Sequence, residues 1–83
     1  MFKILVVDDE DSIRALYRAE LEEDGYEVVC ASDGASALQT LAQGDVHLVV
    51  LDIKLKGESG LQVLQEITRH HRQTPVILST AYG

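Results

Sequence analysis

The sequence predicts an α/β protein in which helices cover both faces of a parallel β-sheet. Four short runs of branched apolar residues are separated by stretches that are each long enough for one helix. Strands joined through a helix run parallel, and right-handed crossovers place the helices on both sides of the sheet. The apolar runs are nearly continuous, which is typical of strands that are buried on both faces. The predicted element order is therefore βαβαβαβ.

The four predicted strands are runs of five residues bounded by polar or turn-forming residues. The single proline, Pro75, opens the last run, where a missing N–H is tolerated. The second run leads into Ala31 and Ser32 instead of acidic residues, as expected for an outer strand with no part in a site. The runs are KILVV at 3–7, YEVVC at 26–30, HLVVL at 47–51 and PVILS at 75–79.

The three predicted helices lie between these runs, and each carries an apolar stripe at helical spacing. Gly25 and Gly44 are stop signals for the first two helices, and either Ser32 or Asp33 can cap the second. The stripes are Ile13, Leu16, Tyr17 and Leu21 in the first helix, Ala37, Leu38 and Leu41 in the second, and Leu61, Leu64 and Ile67 in the third.

Length and charge exclude several classes of function. A chain of 83 residues allows one small domain, and its 14 Asp and Glu against 7 Lys and Arg give a net charge of −7. This balance argues against direct binding to nucleic acid or to an anionic membrane, and it suits a divalent cation or a basic partner. The single cysteine excludes an internal disulfide, and the apolar N-terminal stretch is too short for a signal or membrane segment. We therefore expect a cytoplasmic protein.

Polar side chains follow three of the four predicted strands. Asp8 and Asp9 come after the first strand, Asp52 after the third, and Thr80 after the fourth. Ligand sites of parallel sheets lie beyond the carboxyl ends of the strands, close to the point where the strand order reverses. The sequence therefore predicts three carboxylates and a hydroxyl at one edge of the sheet.

Three converging carboxylates repel one another, which raises their pKa values and costs stability unless a cation is present. Mg²⁺ suits such a group because it binds a few oxygen ligands together with water and phosphate oxygens. An EF-hand loop is absent, and zinc is disfavoured because His47 opens a strand while His70 and His71 end a helix. Glycine-rich phosphate loops are absent too, which leaves a nucleotide-binding function with little support.

Taken together, the motifs resemble the receiver domain of two-component response regulators, a family with a flavodoxin-like fold. The resemblance rests on ILVVDDE at the end of the first strand, LVVLDIKLKGESGLQVL around Asp52, and TPVILSTAYG at the close. These pieces occur in the family's order and spacing across all 83 residues. None is specific alone, but their combination is.

The resemblance implies a role for each site residue. Asp52 corresponds to the phosphoacceptor, which takes a phosphoryl group from a sensor histidine kinase or phosphotransfer protein. Asp9 corresponds to a direct Mg²⁺ ligand, Asp8 to one that acts mainly through water, and Lys54 to the residue whose backbone carbonyl completes the metal shell. Thr80 corresponds to the switch hydroxyl. A receiver is a signalling domain and not a general enzyme, since it catalyses at most its own phosphorylation and dephosphorylation.

The resemblance also implies that the fold is incomplete. The family has five strands and five helices with a lysine after the fifth strand, whereas this chain stops at Gly83. The chain is therefore interpreted as the N-terminal portion, residues 1–83, of a receiver that lacks the fifth strand and the last helices. The uncovered sheet edge and face predict a homo-oligomer. An alternative function is that of a phosphorylation-incompetent scaffold that acts by association.

Overall fold

A computed structural model describes residues 1–79 of the chain, in which helices and strands alternate as predicted. The bounds of the elements are β1 Lys3–Val7, α1 Asp11–Glu23, β2 Glu27–Ala31, α2 Gly34–Ala42, β3 Leu48–Asp52, β4 Lys54–Leu55, β5 Glu58–Ser59, α3 Gly60–His70 and β6 Val76–Ser79. The three later predicted strands each begin one residue further along the chain than the sequence indicated. The short strands β4 and β5 were not predicted.

The main sheet has the strand order β2-β1-β3-β6, and all its described pairings are parallel. This confirms β2 as an outer strand. The chain leaves β1 toward β2 on one side and later returns to pair β3 with the other side of β1. The strand order therefore reverses at β1, and the crevice between the carboxyl ends of β1 and β3 is where this class of sheet places its ligands.

The sheet has an apolar cluster on each face. Alternate residues of a strand point to opposite faces, so one strand contributes to both clusters. Ile4 and Val6 face α1 and pack with Val28 near Tyr17 and Leu21. The opposite face carries the larger core, where β1 and β3 meet residues of α2 and α3. Its buried members are Leu5, Val7, Ala31, Ala37, Leu41, Val49, Leu51, Leu55, Val63 and Ile67.

Two residues of the predicted apolar stripes lie outside the core, so the sequence prediction is wrong for them. Leu16 of α1 is 54% exposed and Leu61 of α3 is 51% exposed. In α3 the buried residues are Gly60, Val63 and Ile67, of which only Ile67 belongs to the predicted stripe. A narrow stripe suffices because each of these helices contacts the sheet along one side, so a leucine at its margin remains in solvent.

Helices α2 and α3 are each capped by the side chain of the residue that precedes them. Asp33, and not Ser32, caps α2, since its carboxylate accepts a hydrogen bond from the Ser36 amide at 2.8 Å. These hydrogen bonds from Ser36 lower the pKa of Asp33 below its usual value. The side chain of Ser59 caps α3 by accepting from the Leu61 amide. Within residues 1–79, every helix falls short of the length and apolar character needed to cross a membrane.

Candidate functional site

Asp8 is a buried carboxylate at the carboxyl end of β1. It is 3% exposed, its amide donates to the Ala31 carbonyl at 3.1 Å, and its Oδ1 accepts from the Glu10 amide at 2.9 Å. Burial raises the pKa of Asp8 above its ordinary value of 3.8, the Glu10 amide opposes that rise, and the charges of Asp52, Asp9 and Glu10 add to it. A charged Asp8 therefore costs free energy in the folded protein.

Asp9 is half-buried and faces the segment that follows β3. Its Oδ2 accepts a hydrogen bond from the backbone amide of Lys56 at 2.9 Å. Lys56 lies in the two-residue turn of the β4-β5 hairpin, in which Leu55 pairs with Glu58 and Gly57 has a φ of +77°. The hairpin turn thus points a backbone N–H at Asp9.

Asp52 ends β3 and is also buried, with 9% of its surface exposed. Its Oδ1 accepts from the Lys54 amide two residues later, at 3.1 Å. This local hydrogen bond fixes the direction of the carboxylate relative to the turn that follows.

The structure brings the three predicted carboxylates together. Asp8, Asp9 and Asp52 each offer an oxygen within 4.8 Å of those of the other two. For Asp8, burial is the largest single cause of the rise in pKa, whereas the sequence had suggested repulsion as the cause. The neighbouring carboxylates still add to that rise, and a cation at the cluster would offset both contributions.

Gly60 is a site residue that sequence reasoning missed. A Cβ at this position would lie 2.3 Å from the Asp52 carbonyl oxygen and 2.5 Å from that of Ile53. The Gly60 amide donates to the Ile53 carbonyl at 2.8 Å, so α3 begins in direct contact with the peptide that follows Asp52. Any side chain here would push against backbone atoms. The signal in the sequence was a glycine directly before an apolar helical stripe, eight residues after Asp52.

Glu58 was missed as well. Its Oε2 accepts from the amide of Gly34, the first residue of α2, at 3.0 Å. The positive end of a helix favours a carboxylate in this place. Glu58 therefore fastens the hairpin that follows Asp52 to the start of α2. A contact between residues 24 positions apart leaves no periodic signal in the sequence.

Arg14 lies on α1 and contacts the strand end that carries Asp8. Its guanidinium donates to the Asp8 backbone carbonyl at 2.7 Å and forms an ion pair with Asp11. The side chain is 19% exposed. Arg14 thus holds the first turn of α1 against the strand end that carries the acidic cluster.

The remaining predicted positions are placed as follows. Lys54 lies two residues after Asp52, with an exposed side chain and an amide that donates to the Asp52 carboxylate. Thr80 lies outside the described residues, but Ser79 before it pairs with Asp52 in the β3-β6 register. The histidines lie away from the cluster as predicted, since His47 accepts from the Lys3 amide and His70 and His71 end α3.

Comparison with protein families identifies the fold. The model of the response regulator receiver domain matches residues 4–83. The chain belongs to the response regulator receiver family. This confirms the resemblance drawn from the strand-end motifs and the flavodoxin-like architecture.

Several relatives support this membership of the receiver family. The uncharacterised transcriptional regulatory protein YkoG of Bacillus subtilis is 45% identical over 78 residues, which are 94% of this chain and 34% of YkoG. The regulatory protein AtoC of Escherichia coli is 39% identical over 81 residues, or 98% of this chain and 18% of AtoC. The receiver chain thus spans about a third or less of these curated relatives.

Solved receiver structures have the same fold. The response regulator TrrA of Thermotoga maritima, crystallised with Mg²⁺ and BeF, is 47% identical with a TM-score of 0.93. The match covers 100% of this chain and 72% of that one. TrrA has also been solved in complex with the histidine kinase ThkA, where the TM-score is 0.92 over the same shares of the two chains.

Proposed function

We propose that this receiver accepts a phosphoryl group on Asp52 from a phosphohistidine of a sensor histidine kinase or phosphotransfer protein, and that Thr80 acts as its switch residue. The observation that carries the proposal is the cluster of Asp8, Asp9 and Asp52 at the carboxyl edge of the sheet. The complex of TrrA with the kinase ThkA supports the class of partner. The net charge of −7 argues against direct nucleic-acid binding by this segment.

Asp52 would act as the nucleophile. An oxygen of its carboxylate attacks the phosphorus, the bond between phosphorus and the imidazole nitrogen breaks, and the electron pair returns to the imidazole. The product is an acyl phosphate, which water later hydrolyses. Phosphoryl transfer depends mainly on positioning and on electrostatic stabilisation, so the hydrogen bond that orients Asp52 toward Lys54 serves the first requirement.

Asp8, Asp9, Asp52 and the backbone carbonyl of Lys54 would hold Mg²⁺. The donor set fits, because three carboxylates supply the hard oxygen ligands that this ion prefers. The raised pKa of Asp8 supports the same assignment, since a buried carboxylate of this kind is stabilised by a cation. When bound, Mg²⁺ neutralises charge on the phosphoryl oxygens. TrrA, crystallised with Mg²⁺ and BeF, offers a parallel.

Phosphorylation would change the shape of the segment after β6. The phosphoryl group adds about −1.5 to −2 charges and three strong acceptor oxygens, which attract a nearby hydroxyl. Thr80 is suited to this role because the residue before it, Ser79, pairs with Asp52 in the sheet. The protein would work in the cytoplasm as a signalling domain that catalyses at most its own phosphorylation and dephosphorylation.

Acetyl phosphate tests the proposal. With Mg²⁺ present, the full-length protein should gain the mass of one phosphoryl group, and Asp52→Asn should abolish the gain. Asp45→Asn is a matched control, because Asp45 is exposed and has a φ of +72°, which asparagine tolerates well. Persistent labelling of the Asp52→Asn variant, or no labelling of the wild type, would refute the proposed role of Asp52.

The second candidate function is an associating module. Ile77 and Leu78 of the outer strand β6 are 54% and 39% exposed, and such a strand invites pairing with another chain. A homo-oligomer of the 83-residue chain remains a prediction. Multi-angle light scattering checks it: a monomer at all concentrations contradicts association, and oligomers insensitive to Mg²⁺ and acetyl phosphate favour it.

A further inference from the structure

Tyr17 makes a contact that the proposed chemistry does not use. Helix α1 packs mainly on β1 and β2, yet the Tyr17 hydroxyl lies 2.8 Å from the Ser79 hydroxyl at the end of β6. In the strand order, β3 lies between β1 and β6, so this side chain reaches across the sheet. The hydrogen bond is partly buried and joins residues 62 positions apart.

Ser79 connects helix α1 to the segment that carries Asp52. It pairs with Asp52 in the register of β3 and β6, and its carbonyl accepts from the Ile53 amide at 3.1 Å. Its backbone is thus tied to the segment that carries Asp52, while its side chain is tied to α1. Thr80 follows directly in the sequence. The position of Ser79 is therefore coupled to that of the segment that carries Asp52.

A second residue on the same side of α1 as Tyr17 makes a polar contact with the carboxyl edge of the sheet. Arg14 precedes it by three residues, a spacing that places two side chains on one helical face. Arg14 donates to the Asp8 carbonyl at 2.7 Å. Helix α1 is therefore fastened at one end of the site to β1 and at the other to β6.

We propose that Tyr17 is a positioning residue, which holds Ser79 and, through the Ile53 amide bonded to the Ser79 carbonyl, keeps the segment that carries Asp52 in the arrangement that accepts a phosphoryl group. This inference rests on the proposed function of Asp52. Without the Tyr17 hydroxyl, the end of β6 samples more positions, and only some of them are competent. A purely structural role for the same hydrogen bond would lower stability and leave the phosphorylation rate unchanged.

The test compares Tyr17→Phe and Ser79→Ala with the wild type in the full-length protein. Each removes one hydroxyl of the pair, and loss of one hydrogen bond corresponds to about a three- to tenfold effect. We expect the rate constant for phosphorylation by acetyl phosphate to fall by that factor in both variants, with the affinity for Mg²⁺ unchanged. Ser79→Thr keeps the hydroxyl and should retain most of the rate.

Further variants distinguish a positioning role of Tyr17 from a purely structural one. Tyr26→Phe removes a hydroxyl from a tyrosine that packs edge-on against Phe2, near the opposite end of the sheet, and should keep the wild-type rate. In the double variant Tyr17→Phe with Ser79→Ala, the rate should fall no further than in either single variant. Circular dichroism establishes folding, and Ser79→Ala decides the matter if Tyr17→Phe does not fold. Wild-type rates in both single variants would overturn this inference, whereas an unlabelled wild type would overturn the proposed function.

Discussion

The backbone amide of Lys56 donates a hydrogen bond to the Asp9 carboxylate at 2.9 Å. This bond joins the strand end of β1 to the hairpin that follows β3, across 47 positions of the sequence. Asp9 belongs to the acidic cluster and Lys56 to the turn after Asp52, so this bond connects the cluster to the hairpin.

Mg²⁺ should alter the Lys56 amide. A cation bound at Asp9 withdraws electron density from the carboxylate and weakens the hydrogen bond that it accepts. We expect the amide proton of Lys56 to move upfield when Mg²⁺ is added, as measured by ¹H–¹⁵N NMR. The Thr74 amide, which donates to the His71 carbonyl, is the control and should stay in place. A Lys56 resonance that ignores saturating Mg²⁺ would exclude Asp9 as a ligand.

Asp8→Asn should stabilise the metal-free protein at pH 7. Burial raises the pKa of Asp8 above 3.8, so the folded state holds its proton more tightly than the unfolded state. The stabilisation from this proton is fully present below pH 3.8 and is lost as the pH rises through the raised pKa. Asparagine carries no charge and can still accept from the Glu10 amide.

Thermal unfolding in the presence of EDTA measures this effect. The melting temperature of Asp8→Asn should exceed that of the wild type at pH 7, and the difference should shrink as the pH falls toward 3.8. Saturating Mg²⁺ should raise the melting temperature of the wild type, because a ligand stabilises the folded state that binds it. The melting temperature of Asp8→Asn should stay nearly unchanged, because this variant lacks one of the proposed Mg²⁺ ligands. A variant less stable than the wild type at pH 7 would show that the charged Asp8 has a favourable partner.

Gly60→Ala should damage both the fold and the site. The added methyl group would press on the carbonyl oxygens of Asp52 and Ile53, and relief requires movement of the backbone. We expect the free energy of unfolding to fall by about 3 kcal/mol or more, judged by urea denaturation.

Gly44→Ala is the control for Gly60→Ala. Gly44 has a φ of +88° with open space around its Cβ, so alanine there costs about 1 to 2 kcal/mol of backbone strain. We expect Gly60→Ala to bind Mg²⁺ more weakly than the wild type and Gly44→Ala to bind it equally well. Equal Mg²⁺ affinities in the two variants would show that α3 can begin elsewhere without disturbing Asp52.

Glu58→Ala should loosen the hairpin from α2. The Gly34 amide would lose the carboxylate that accepts its hydrogen bond, at a cost of about 1 kcal/mol in the free energy of unfolding. Glu66→Ala removes an exposed ion pair with Arg69 and should change stability by less than about 0.5 kcal/mol. Urea denaturation of both variants provides the comparison, and equal losses would mean that the Gly34 contact contributes little.

The sequence predicted the parts of this molecule that depend on local patterns. Apolar runs predicted the four main strands. Asp8, Asp9 and Asp52 follow these strands, and their proximity was predictable because parallel strands end at a common edge. The hairpin of β4 and β5 was not predicted, since two-residue strands carry no periodicity. Contacts such as Glu58 with Gly34 or Tyr17 with Ser79 depend on the tertiary fold. The exposure of Leu16 and Leu61 likewise depends on how widely each helix contacts the sheet.

The central place of β1 in the sheet has a consequence for synthesis on the ribosome. β1 is made before its partner β3, which begins at Leu48, so roughly forty residues must follow β1 before that pairing can form. At 5–20 residues per second, the apolar strand waits about 2 to 8 s without this neighbour. During that interval α1 and β2 are already available, so the nascent chain can cover one side of β1 while the other stays open to chaperones.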